Sequence, residues 1–356
     1  SVALGVSLVL VGCAKPTPAP GPTPTPTPTP TPAPEAEVIT WIAQDENPLT
    51  ASSYVSLDML CKKVEEATGG RLIIKPNPGG AIVPADTEID GVNKGILDLG
   101  HGAFISMSGD FPAAPLFDTI VAGPTALEYY FWYLWGPGID LSQEMLDSKE
   151  YNVKVVAVDA NLPEVFLYTN KPIKTVADLK GMTLRLLGDE AAIFGKFGVS
   201  ATATSSGELY EAMDRGVIDG FQHSNLAADW DLGFQECVNY AYTSTVRQPT
   251  DVFVYYVNKD TWEALPDDLK TIVEEATWVN GIRHYADWTY RCTQVLDKWT
   301  DAGVVVEPIS GEIEDALIGA ANDYYAERAA ADPFFAKVYN SLLEWQAKYD
   351  LAFPRL

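Results

Sequence analysis

From Pro266 to about Ala302 the chain runs with no helix breaker except Gly281, and apolar residues recur at helical spacing. At ~1.5 Å per residue such a helix is on the order of 50 Å long. It outruns one ordinary domain, so the fold must offer it two bodies to lie across. The length of 356 residues agrees, because single cores stop growing at roughly 250–300 residues and longer chains divide.

The elements around that stretch read as α/β. Val38–Ala43 is β-branched and apolar, a buried strand. A helix follows in which Leu57, Leu60, Val64 and Ala67 share one face, stopped by Gly69-Gly70. Arg71–Pro76 is the next strand, then a helix over Ala85–Lys94 and a short strand at Leu97–Leu99. This rhythm with short loops predicts a mostly parallel sheet covered by helices. Tyr129–Trp135 is a helical aromatic cluster, read as core packing. Lys154–Val158 is a further strand. Phe166–Tyr168 and Met182–Leu186 are strands flanking the turn Asp178-Leu179-Lys180-Gly181, and helices follow at Glu190–Phe197 and Gly207–Gly216. Val252–Val257 reads as a strand returning to the first sheet, and helices around 313–330 and 334–348 end the chain. The expected organisation is a first lobe of residues 37–159 plus 250–290 and a second of 160–249 plus 291–356. A long shared helix and several crossings describe a clamshell that closes by hinge motion.

Ahead of the lobes, Val2–Val11 is an apolar run too short to span a bilayer and of signal-peptide length. It ends in Leu10-Val11-Gly12-Cys13, which resembles a bacterial lipobox and makes Cys13 the expected lipidation site, with residues 1–13 the end of the signal. Residues 14–36 are a linker in which Pro16–Pro34 is almost pure Pro and Thr. Such a tract builds no core and favours polyproline II, a stalk on the order of 60 Å at ~3.1 Å per residue. Together these predict a lipid-anchored protein on the extracytoplasmic face.

The balance of 24 basic against 49 acidic residues, a formal charge of −25, repels nucleic acid and excludes it as a partner. The same field opposes anions at long range, so an anionic ligand needs buried, short-range donors such as an Arg fork. Cys61, Cys237 and Cys292 lack metal spacing; one disulfide with a spare thiol and three separate thiols both fit. His101, His223 and His284 are scattered, and Asp229 with Asp231 lacks the rest of a calcium loop, so no metal site is expected. No G-x-S-x-G, H-E-x-x-H, Walker or dinucleotide motif occurs, and no enzyme activity or cofactor is expected.

Three blocks carry a resemblance: Asp178-Leu179-Lys180-Gly181 before a strand ending near Arg185; Glu208-Leu209-Tyr210-x-Ala212 leading to Gly216-Val217-Ile218-Asp219-Gly220; and Val257-Asn258-x-x-x-Trp262-x-x-Leu265-Pro266. In order and spacing they resemble the solute-binding proteins of tripartite ATP-independent periplasmic (TRAP) transporters. The resemblance implies a small organic acid as ligand, delivery to membrane permease subunits, and a salt bridge from Arg185 to the ligand carboxylate. A planar guanidinium suits a carboxylate bidentately; structural pairing of Arg185 with Asp178 or Glu190 is the alternative. The resemblance also places Gln222 and His223 at the cleft, where one branch of the family has Glu-Trp and binds a metal ion with its ligand. Here an amide and an imidazole replace them, so a ligand-bridging cation is open, and both side chains are candidate ligand contacts. Glu164 falls near a polar ligand position of that branch, and Phe104 falls where related binders place an aromatic over the ligand, with core packing its alternative. Asp219 reads as a turn residue. A lipoprotein that binds sugars or peptides for an ABC transporter is the competing function; it would not need Arg185. An extracytoplasmic hydrolase is the third, and would require acid/base groups that no motif supplies.

Overall fold

The computed structural model describes residues 38–353 without interruption, with Ser1, Gly5, Ser7, Gly12, Cys13 and Gly21. The expected apolar run (Gly5 and Ser7 apart) and the Pro/Thr tract (Gly21 apart) lie outside the described residues.

The chain first lays down β1 (Ile39–Asp45), α1 (Ser52–Thr68), β2 (Leu72–Asn77), α2 (Glu88–Asn93), β3 (Leu99–Gly102), α3 (Ala126–Leu134), α4 (Gly138–Asp147) and β4 (Val153–Ala160). It continues through β5 (Leu167–Thr169), β6 (Thr183–Arg185), α5 (Gly188–Gly195), β7 (Ser200–Thr202), α6 (Leu209–Asp214), β8 (Gly220–Phe221), α7 (Leu226–Asp231) and β9 (Tyr240–Thr243). Last come β10 (Val252–Asn258), α8 (Lys259–Ala264), α9 (Asp267–Asp301), β11 (Val305–Pro308), α10 (Gly311–Ala331) and α11 (Pro333–Ala352).

Two sheets result, ordered β2-β1-β3-β10-β4 and β11-β9-β5-β8-β6-β7. Each is parallel except for one strand: β10 is antiparallel to β3 and β4, and β5 is antiparallel to β8 and β9. β5 is the strand through which the chain first enters the second sheet, and β10 the one through which it returns to the first. Residues 161–166 cross from β4 to β5, and residues 244–251 return from β9 to β10. The crossings run side by side, with Asn161 N donating to Asp251 O at 2.8 Å and Glu164 N to Gln248 O at 3.2 Å.

The breaker-free stretch forms the 35-residue α9. Its first half packs on α1 and β4, and its second half on α7 and β11. Val273, Thr277, Asn280, Gly281, His284, Trp288, Val295 and Trp299 form the buried stripe. The single breaker has a packing reason: a Cβ at Gly281 would stand 2.9 Å from Val158 O and 3.1 Å from the Tyr130 ring. Helix and strand backbones touch there.

Several expectations shift in detail. On α1, Leu57, Leu60 and Val64 are buried as read, but Ala67 is exposed and Thr68 is buried instead. The helix stops at Gly69, whose φ of +62° is left-handed. Tyr129, Trp132 and Tyr133 are core residues, whereas Trp135 is exposed. Within the expected second-lobe grouping of residues 291–356, α11 packs on α10 and also on α3, where Trp345 Nε1 donates to Glu128 O at 2.9 Å and Trp132 Nε1 to Ser341 Oγ at 3.0 Å. Apolar periodicity announces such a helix but not which surface it covers. All four cysteines are free thiols, and burial pushes Cys237 and Cys292 up to about 11.

Gly281→Ala sets helix propensity against packing. Alanine favours an exposed helix by about 1 kcal/mol, but a Cβ meeting a backbone oxygen forces overpacking worth about 1–3 kcal/mol. Urea unfolding should therefore show a net loss of stability.

Candidate ligand site

Arg185 ends β6, between buried Leu184 and Leu186, and is itself only 6 % exposed. Its Nε donates to Thr204 O at 3.3 Å and its Nη1 to Gln222 O at 2.9 Å. Among the described residues no carboxylate lies within ion-pairing distance of it. Asp178, the sequence alternative, accepts instead from the N–H groups of Lys174 and Thr175. Burial lowers the Arg185 pKa from its ordinary value, with Glu164 and Glu190 the main opposing charges. The result is a buried cation with uncommitted N–H groups. A group held so far from water needs an anion.

Gln222 follows β8, and its side chain is buried with no hydrogen bond to a described residue. His223 is half-buried; its Nδ1 is 2.7 Å from Asp229 Oδ1. Asp229 also accepts from Tyr168 Oη at 2.9 Å and Ser224 N at 3.2 Å, so the imidazole is fixed by a fully buried carboxylate. Asp219 accepts from Thr183 N, as a turn residue does.

Glu164, expected near a ligand position, has one carboxylate oxygen engaged by another side chain. Its Oε2 is 2.7 Å from Arg247 Nη2, and Arg247 also pairs with Glu190. Burial raises the pKa of both carboxyls while Arg247 works against that rise. Phe104 also differs: it is 1 % exposed and packs edge-on to Phe117 and parallel to Tyr256. Neighbouring Ile105 approaches the second sheet instead, since a Cβ at Gly188 would lie 3.6 Å from its Cδ1.

Sequence reasoning missed two residues in the crossing segments. Asn161 has a buried Nδ2 with no hydrogen-bond partner. Arg247 is fully buried. The available signal was charge in an otherwise neutral setting: Arg247 is the only charged residue of its crossing segment up to Thr250, and Glu164 is the only one in 161–166.

The histidines fall in two places. His101 Nδ1 is 2.7 Å from Asp45 Oδ2, and His284 Nδ1 is 3.1 Å from Asp159 Oδ1. Asp159 Oδ2 also stands 3.9 Å from His101 Nε2, linking them at the strand ends of the first sheet. His223 belongs to the second sheet. Among the described residues no group of three or more His, Cys, Asp or Glu is placed to hold a metal ion.

Two sheets joined by paired crossings, a helix lying over both, and an unpaired buried guanidinium at a strand end define a two-lobed binder of small solutes. Residues 44–332 match the model of the bacterial extracellular solute-binding protein family 7, and the chain belongs to that family, the solute-binding proteins of TRAP transporters. These are transport proteins and not enzymes, and they act outside the cytoplasm. The chain is 26 % identical over 309 residues to a monocarboxylate 2-oxoacid-binding periplasmic protein of Nostoc sp. PCC 7120, covering 87 % of this chain and 84 % of that one. A TRAP solute-binding protein of Pseudoalteromonas atlantica with bound sodium and pyruvate superposes with a TM-score of 0.79 at 26 % identity, over 89 % of this chain and 97 % of that one. One from Bordetella bronchiseptica, a dimer with calcium and picolinate, gives 0.77 at 26 % identity, over 89 % and 94 %.

Proposed function

We propose that this protein captures a small monocarboxylate of the 2-oxo acid class between its two lobes, residues 37–159 plus 250–290 and residues 160–249 plus 291–356, with α11 carried on the first. It then passes the ligand to the membrane permease of a TRAP transporter. The observation that carries the reading is Arg185, buried and lacking an anionic partner among the described residues. A ligand carboxylate supplies that anion at short range, where the chain's overall negative charge matters least. Gln222 and the Asn161 amide nitrogen offer neutral hydrogen bonds for a second polar group such as a 2-oxo oxygen. His223, oriented by Asp229, borders the same strand end. The 2-oxoacid, pyruvate and picolinate ligands of the similar proteins support this class. Ligand binding favours the closed arrangement of the lobes, and that arrangement is what the permease reads.

Cys13 is exposed. In this reading it carries the lipid that tethers the protein, and the Pro/Thr tract holds the lobes off the membrane.

The ligand class is tested by a thermal-shift panel of pyruvate, other small carboxylates and neutral sugars. A ligand at about 100 times its Kd should add ~2.7 kcal/mol, a shift of several degrees. Pyruvate-class acids should produce it, and Arg185→Ala should abolish it. A sugar response that survives Arg185→Ala would overturn the assignment. For the tether, Cys13→Ser in the full-length protein expressed in a bacterium should move it from the membrane fraction to the soluble one; unchanged membrane association would count against lipidation.

A further inference from the structure

The two buried arginines near the β6 end are used in opposite ways. Arg185 gives two N–H groups to backbone carbonyls and pairs with no acid among the described residues. Arg247 gives four: Nη2 to Glu164 Oε2 at 2.7 Å and Val165 O at 2.9 Å, and Nη1 to Glu190 and to Gln248 Oε1 at 3.4 Å. Glu164 and Glu190 are the two carboxylates whose charges act most on Arg185. Glu190 Oε2 is moreover buried with no hydrogen-bond partner, so this acid retains an unused acceptor.

We infer that Arg247 is a positioning residue for ligand capture: by holding Glu164 and Glu190 in a fork, it keeps both from pairing with Arg185 and so leaves that guanidinium free for the ligand. The inference rests on the reading of Arg185 as the carboxylate receptor. Without Arg247, two buried carboxylates would face one buried arginine. Pairing among them would then compete directly with any ligand. A planar fork suits this task because it engages two acids at once, which a single ammonium does less well. The arrangement also ties ligand capture to the crossing segments, since Arg247 and Glu164 lie one on each, while Glu190 sits on α5 just beyond Arg185.

The test measures pyruvate affinity by calorimetry in four proteins: wild type, Arg185→Ala, Arg247→Met, and Arg247→Met combined with Glu164→Gln and Glu190→Gln. Arg247→Met should weaken pyruvate about 10- to 100-fold, the cost of displacing a charged partner. The triple variant should return to within about threefold of wild type, because neither glutamate remains to occupy Arg185. A residue that only supports the fold would not show this rescue. Wild-type affinity in Arg247→Met, or no recovery in a folded triple variant, overturns the inference. Should Arg247→Met not fold, Arg247→Lys with and without Glu190→Gln makes the same comparison. If wild type does not bind pyruvate, or Arg185→Ala binds it equally well, the carboxylate reading fails instead. The ligand-free crystal structure of the folded Arg247 variant then decides the inference alone: Arg185 paired with Glu164 or Glu190 supports it, and Arg185 still unpaired overturns it.

Discussion

A guanidinium removed from water without a counter-ion is unfavourable, and Arg185 is held in that state by everything around it. Its backbone is fixed in β6 between Leu184 and Leu186, both buried. Two of its N–H groups are anchored on carbonyls, which orients the fork without neutralising it. The two glutamates whose charges act most on it are engaged by Arg247. In the proposed function an incoming anion completes that charge. For a chain carrying −25 overall, selectivity for an acid has to be local.

The architecture serves the same end. The chain first reaches the second sheet at β5 and returns to the first at β10, each the antiparallel strand of its sheet, and the two crossings hydrogen-bond side by side. With the long helix over both sheets, these crossings are the links on which the lobes would hinge in the proposed function. Arg328 on α10 donates both to Asp189 Oδ1 just beyond β6 and to Pro112 O, each at 2.7 Å.

Much of this was legible in the sequence because it is written in local patterns. Helical spacing without breakers gave α9 and β-branched runs gave β1 and β10, while Arg185 was singled out by the family resemblance that the Asp178–Gly181 block helps to carry. What stayed hidden depends on which surfaces meet. Phe104 follows a strand, as a ligand-facing aromatic would, yet Phe117 and Tyr256 enclose it. Glu164 carries the right chemistry for a ligand contact, but its partner Arg247 lies 83 residues away in sequence, and no periodicity connects them. Asn161 is one amide among many until the backbone crossing buries it. Gly281 looked like an interruption of the helix and is where that helix meets β4.

In the proposed function an incoming carboxylate completes Arg185. Its most direct test is a crystal structure of the wild-type protein with pyruvate, refined to a resolution that separates carboxylate from carbonyl oxygens. The carboxylate should lie on the free N–H groups of Arg185, with Glu164 and Glu190 still on Arg247. Pyruvate bound elsewhere, or Arg185 closed onto either glutamate with pyruvate present, would contradict it.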